Sequence, residues 1–285
     1  MIIRTVLLVL SLVFSLEAKQ IFSNSEQADI SSYISSLKDL VVATQKTRGL
    51  TNSYLNGNLI ALMLVQDAKN DMKKAIGAME SSRLASDSVI NQRASRISDS
   101  LVSLNRKARK LKPEAAFESY TQGIEQILML AQTVGKRASE HMSPFAKEAS
   151  FIMMEQMLPL SEYVGQLRGF GSGIAAKGQI TTEQKEALML IMNEVVALNK
   201  ELQKNMKKLM LLAKKEYVQS AQENIAKVDT LSNQYVEFAK KEFYLENITV
   251  NPDNYFVDGT EIISQIIKAY DLTNRTILED SKGWL

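Results

Sequence analysis

From Gln179 to Asn251 the chain contains neither glycine nor proline. Those are the two residues that interrupt helices most strongly, so nothing in this stretch opposes helix formation. Elsewhere the breakers are sparse as well: the 285 residues hold four prolines and twelve glycines, clustered at apparent breaks. Methionine, leucine, alanine, lysine, glutamate and glutamine fill the intervals, which is helix-forming chemistry. The fold class is all-α.

Caps and breakers then divide the chain. A capping-box spacing from Ser23 to Glu26 starts a first helix that ends at the Asn-Gly-Asn of 56–58. A second covers about 59–85, with Leu59, Leu62, Met63, Met72, Ile76 and Met79 at helical spacing. A third spans about 86–111, and Pro113 fits the first turn of a fourth that ends near 141. Ser143 and Pro144 open a fifth, which reaches about 177 and should kink at Pro159. Thr181 and Gln184 cap the next. A single helix from there to Pro252 would be unusually long, so a turn is expected near 218–227, followed by a helix at about 228–246. "NITVNPDNYFVDGTE" reads as a loop before a last helix at about 259–282. Short connections between comparable helices predict two antiparallel four-helix bundles in series, 19–142 and 143–285.

Residues 1–18 stand apart. Arg4, the apolar run from Thr5 to Ser15 and the small-residue site ending at Ala18 have the make-up of a secretory signal peptide. The run is shorter than the roughly 20 residues of a membrane-spanning helix. The expectation is a periplasmic or secreted protein, with an N-terminal membrane anchor as the alternative. There is no cysteine, which excludes disulfides and Cys-based metal sites. A net charge of +2 with interspersed signs gives no footprint for nucleic acid.

Two Arg-Gly pairs interrupt this pattern. In the first helix Leu37, Val41, Thr44, Arg48, Thr51 and Leu55 follow a bundle seam, which carries Arg48 inward with Gln45 and Asn52 as neighbours. In the fifth, Met157, Leu160, Val164, Leu167 and Gly171 form the seam and Arg168 lies beside it. Gly49 and Gly169 leave room for a close approach. A buried guanidinium needs a counter-charge because it cannot shed its proton. That charge is either an internal carboxylate, such as Asp39, Glu162 or one on a neighbouring helix, or an exogenous planar oxyanion gripped by the guanidinium fork.

Other constellations carry less. His141 is the lone histidine, so neither a His-based zinc site nor a catalytic triad can be assembled. No hydrolase or transferase signature is present, and the chain reads as a non-enzyme without metal or cofactor. Met153, Met157, Met189 and Met192 coincide with apolar seams and read as core rather than as a Cu(I) site. The basic stretch 204–217 reads as a solvated helix face.

"LVVATQKTRGLTNSYLNGN", with Gln45, Arg48 and Gly49, resembles the opening motif of the nitrate- and nitrite-sensing (NIT) domain family. "LPLSEYVGQLRGFGSG" is similar to the arginine-bearing helix of that family's second bundle, and "NPDNYFVDGTEIISQI" to its late element. Thr47 stands where the family commonly has a charged residue, and the seventh helix offers Lys240 and Lys241 but no arginine. The resemblance implies paired four-helix bundles that bind nitrate or nitrite and signal to an output domain. It implies Arg48 and Arg168 as anion contacts; from their places beside the two arginines, Gln45, Thr51, Asn52 and Ser172 are expected as secondary donors. No kinase, RNA-binding or methyl-accepting segment is recognisable, so a separate partner, such as a membrane receptor, is expected to take the signal. The alternative is a structural or scaffolding bundle of the periplasm that has lost the ligand.

Overall fold

The computed structural model describes residues 2–138 and 142–281; His141 lies outside them. Among the described residues there is no strand. The helices are α1 (Ile2–Leu55), α2 (Ala61–Glu80), α3 (Ser88–Lys107), α4 (Pro113–Ala138), α5 (Pro144–Ile152), α6 (Leu158–Lys177), α7 (Thr182–Met210), α8 (Lys215–Glu242) and α9 (Pro252–Ser281). None of the described helices is long and apolar enough to cross a membrane.

Several caps follow directly from sequence. The Thr181 hydroxyl accepts from the Gln184 N–H while the Gln184 side chain accepts from the Thr181 N–H, satisfying two otherwise orphaned donors at the start of α7. Ser143 accepts from the Ala146 N–H, and Pro144 follows in the first turn of α5. Asp87 caps α3 by accepting from the N–H groups of Val89 and Ile90.

Three boundaries and one buried seam differ from expectation. Helix α1 runs unbroken through Ser23, because no glycine or proline precedes Gly49 and a capping residue alone does not stop a helix. The turn after α7 falls at residues 211–214 rather than 218–227. Packing sets it: the buried row Val195, Leu202, Met206, Leu209 ends there, Leu211 and Leu212 are exposed, and burial resumes at Tyr217. Helix α9 begins at Pro252, inside the segment read as a loop. The Asn251 side chain accepts from the N–H groups of Asp253 and Asn254, so what looked like loop chemistry is an N-cap with proline at the first position. In α2 the buried seam is Val65, Ala68, Met72, Ile76 and Met79, leaving Leu59 and Met63 exposed.

Pro159 is accommodated rather than merely kinked. The chain widens into one π-helical turn, Met153–Met157, where the Leu158 N–H donates to the Met153 carbonyl five residues back. The proline then sits in the first turn of α6, where its missing N–H is least costly. Met153 and Met157 pack in the core.

From residue 28 onward α1, and α6 throughout, are buried on most sides, which suits a central position. Helix α1 is covered by α2 and α4, and α6 by α7 and α9, while α3 packs on α4 and α8 on both α7 and α9. The two central helices also touch each other, and α1 touches α9. The close approach of α9 to α6 depends on Gly171, whose added Cβ would lie 2.4 Å from the Tyr255 ring. Gly171→Ala is expected to cost about 1–3 kcal/mol through overpacking, read as a lowered urea midpoint. An unchanged midpoint would mean that Tyr255 moves freely.

Candidate functional site

Four charged side chains are buried among the described residues: Lys38, Arg48, Glu162 and Arg168. Lys38 is accounted for by Asp39 and Asp271. The other three form one centre where α1 meets α6.

Arg48 lies on α1 with 1% of its surface exposed. Its fork meets the Glu162 carboxylate of α6 in a two-pronged ion pair, Nη1 to Oε1 at 2.5 Å and Nη2 to Oε2 at 3.1 Å. Gly165, one turn along α6, makes the approach possible: a Cβ there would stand 3.2 Å from the Arg48 Nη2. Gln45 and Gln166 donate to the remaining faces of Glu162 at 3.1 and 2.9 Å. The counter-charge of Arg48 is thus Glu162, on another helix; Asp39 pairs with Lys38 instead.

Arg168 is 5% exposed and differently placed. Among the described residues no carboxylate lies within ion-pair distance of it, and its Nε is buried without a hydrogen-bond partner. Nη1 donates to the Thr260 hydroxyl at 2.8 Å, and the guanidinium lies over the Phe256 ring, 4.4 Å from its centre. Burial, reinforced by repulsion from Arg48, pushes the guanidinium down to about 10, so it stays charged at neutral pH.

Apart from the carboxylate, the two arginines share one cradle. Arg48 donates to the Thr121 hydroxyl at 2.8 Å and lies 4.7 Å above the Phe117 ring of α4. In both cradles the threonine follows the phenylalanine by four positions and donates back to its carbonyl, at 3.0 Å in α4 and 2.7 Å in α9. The glycines cross over: a Cβ on Gly169 would strike Phe117 at 2.7 Å, and one on Gly49 would crowd Phe256 at 3.1 Å. The clearance expected at these two glycines is taken up by the rings. Sequence reading gave the four cradle residues no role at the arginines, although "FESYT" and "FVDGT" repeat the same spacing.

The secondary residues are distributed as follows. Gln45 serves Glu162. Asn52 donates to the Gly169 carbonyl at 3.3 Å and Ser172 to the Pro252 carbonyl at 3.4 Å, bridging α1 to α6 and α6 to α9. Both line a cleft of about 470 Å³, together with Gly49, Gly169 and Phe256. Thr51 is buried beside Tyr120 of α4. Lys240 and Lys241 pair with Glu237 and Glu242 on the surface of α8.

Fold and site define an all-helical protein organised around a buried cationic centre. A family model described as nitrate and nitrite sensing, NIT, matches residues 39–277. The chain belongs to that family. It is also similar in fold to a solved structure described as the NasR transcription antiterminator, with a TM-score of 0.73, 15% identity, and coverage of 96% of this chain and 74% of that one. No curated protein matches the chain.

Proposed function

We propose that the protein is a non-enzymatic sensory domain that binds nitrate or nitrite at Arg168, with Asn52 and Ser172 as secondary donors from the adjoining cleft. One observation carries the reading: Arg168 is a buried fixed charge with no carboxylate of its own among the described residues. Leaving it so is costly, and a singly charged anion in its fork removes that cost. Gly49 and Phe256, which flank the guanidinium, also line the cleft, so an anion has a short way in. Arg48 acts from behind, through the field of its pair with Glu162. Binding signals by favouring one arrangement of α1, α6 and α9 over another, and a separate signalling protein reads the difference.

The groups α1–α4 and α5–α9 are taken as the two four-helix bundles, with α5 and α6 as one interrupted helix; the packing order along the chain supports this division. The apolar segment after Arg4 supports export.

The Arg48–Glu162 pair favours a second reading, a scaffold that has internalised its counter-ion. Thermal melts with nitrate, nitrite, chloride and sulfate at matched ionic strength separate the two. A ligand at 100 times its Kd adds about 2.7 kcal/mol, which raises Tm by roughly 5 °C in a chain of this size. A rise with nitrate or nitrite alone is expected, and coincident curves in all four salts would leave the scaffold.

A further inference from the structure

The two cradles answer a question about the ligand that neither answers alone. Each presents a guanidinium held flat by a phenyl ring and anchored by a threonine hydroxyl, Phe117 with Thr121 at Arg48 and Phe256 with Thr260 at Arg168. At Arg48 the fork is filled by a planar, singly charged group with two coplanar oxygens, the Glu162 carboxylate. At Arg168 no carboxylate among the described residues fills it. The occupied cradle is therefore a template for the other, and it specifies a flat oxyanion with two oxygens to offer.

Glu162 also acts on the neighbouring arginine. Its carboxylate attracts the Arg168 charge while Arg48 repels it, so all three groups feel one another's fields. Two guanidiniums and one carboxylate leave a net charge of one unit in a region with little water to screen it. A singly charged anion cancels this. A doubly charged anion would leave a buried excess negative charge beside Glu162, which is as unfavourable as the unpaired cation it replaced.

We infer that Glu162 sets the charge class of the ligand: by holding the two-arginine centre at a single positive charge, it admits singly charged oxyanions and excludes doubly charged ones. This rests on the proposed anion site at Arg168. It goes further, because it assigns the discrimination between nitrate and sulfate to a residue that does not touch the anion.

The test is calorimetric titration of the whole chain with nitrate and with sulfate, for the wild type, Glu162→Gln and Gln166→Lys. Glu162→Gln keeps the shape and removes the charge. It also uncovers Arg48, which endangers folding, so Gln166→Lys provides an independent route. Gln166 is half-buried and already donates to Glu162, so a lysine there would offset the carboxylate while leaving the Arg48 pair in place.

The wild type is expected to bind nitrate and not sulfate. In either folded variant, nitrate affinity should rise by roughly tenfold and sulfate binding should become measurable, as removal of one nearby like charge predicts. Wild-type nitrate affinity with continued silence toward sulfate, in Gln166→Lys or in a folded Glu162→Gln, would overturn the inference while leaving the anion site standing. A wild type that binds neither anion would remove the anion site, and the inference with it.

Discussion

Arg48→Met should lower the unfolding free energy by about 3–5 kcal/mol, the usual consequence of removing one member of a buried ion pair. The loss comes mainly from what stays behind. Glu162, 2% exposed, would keep its charge inside with only the amides of Gln45 and Gln166 to satisfy it. The stacking on Phe117 and the hydrogen bond to Thr121 would go as well. Urea denaturation reads the effect directly, as a lower midpoint at unchanged slope. The double variant Arg48→Met with Glu162→Met should recover most of the loss, because a well-packed apolar pair is often as stable as the buried ion pair it replaces. If the single variant lost less than about 1 kcal/mol, the pair would have to be far better hydrated than its burial implies.

The same substitution at the other arginine should have the opposite sign. Arg168→Met removes a buried charge that has no counter-ion among the described residues, so the ligand-free protein should gain about 1–2 kcal/mol after the lost contacts with Phe256 and Thr260 are discounted. The rise in Tm with nitrate should vanish at the same time. Burial lowers the pKa of Arg168 from the ordinary guanidinium range to about 10. The unfolded chain therefore holds this proton more tightly than the folded one, and the penalty is fully present below pH 10. It diminishes only as the pH rises from there, so the gain in Arg168→Met should be flat from pH 6 to 9. Differential scanning fluorimetry across that range, with and without nitrate, checks both halves. A destabilised apo variant would show that Arg168 is compensated within the fold, and a nitrate response that persists would move the anion elsewhere.

Much of this was legible in residue types. Thr181, Gln184, Ser143 and Pro144 fix helix starts through local hydrogen bonds, which sequence records faithfully. The spacing carried Arg48 inward and set Arg168 only beside its seam, though both are buried, and Glu162 was one of the carboxylates named as a counter-charge. What remained hidden depends on contacts between distant segments. The turn at 211–214 contains no breaker residue and exists because the buried row of α7 runs out. Gly259 seemed to belong to a loop, yet it lies inside α9, where a Cβ would collide with the Tyr235 hydroxyl at 2.7 Å and the Arg168 side chain at 2.8 Å. A glycine spared for a crowded neighbour and a glycine spared for a turn look identical in a sequence. The phenylalanine–threonine cradles escaped for a related reason: four-residue spacing is so common in helices that a repeat of it gains meaning only once the facing arginines are in view.

The π-helical turn at Met153–Met157 sets the angular phase of everything after it. Each residue advances a helix by about 100° around its axis. The one extra residue in that turn thus rotates the rest of α6 by about that angle relative to α5. Glu162, Gly165, Arg168 and Gly169 face α1, α4 and α9 in this rotated register. Deleting one residue between 153 and 157 would leave a good helix of nearly the same length, yet it would aim the carboxylate and the guanidinium a quarter-turn away from their partners.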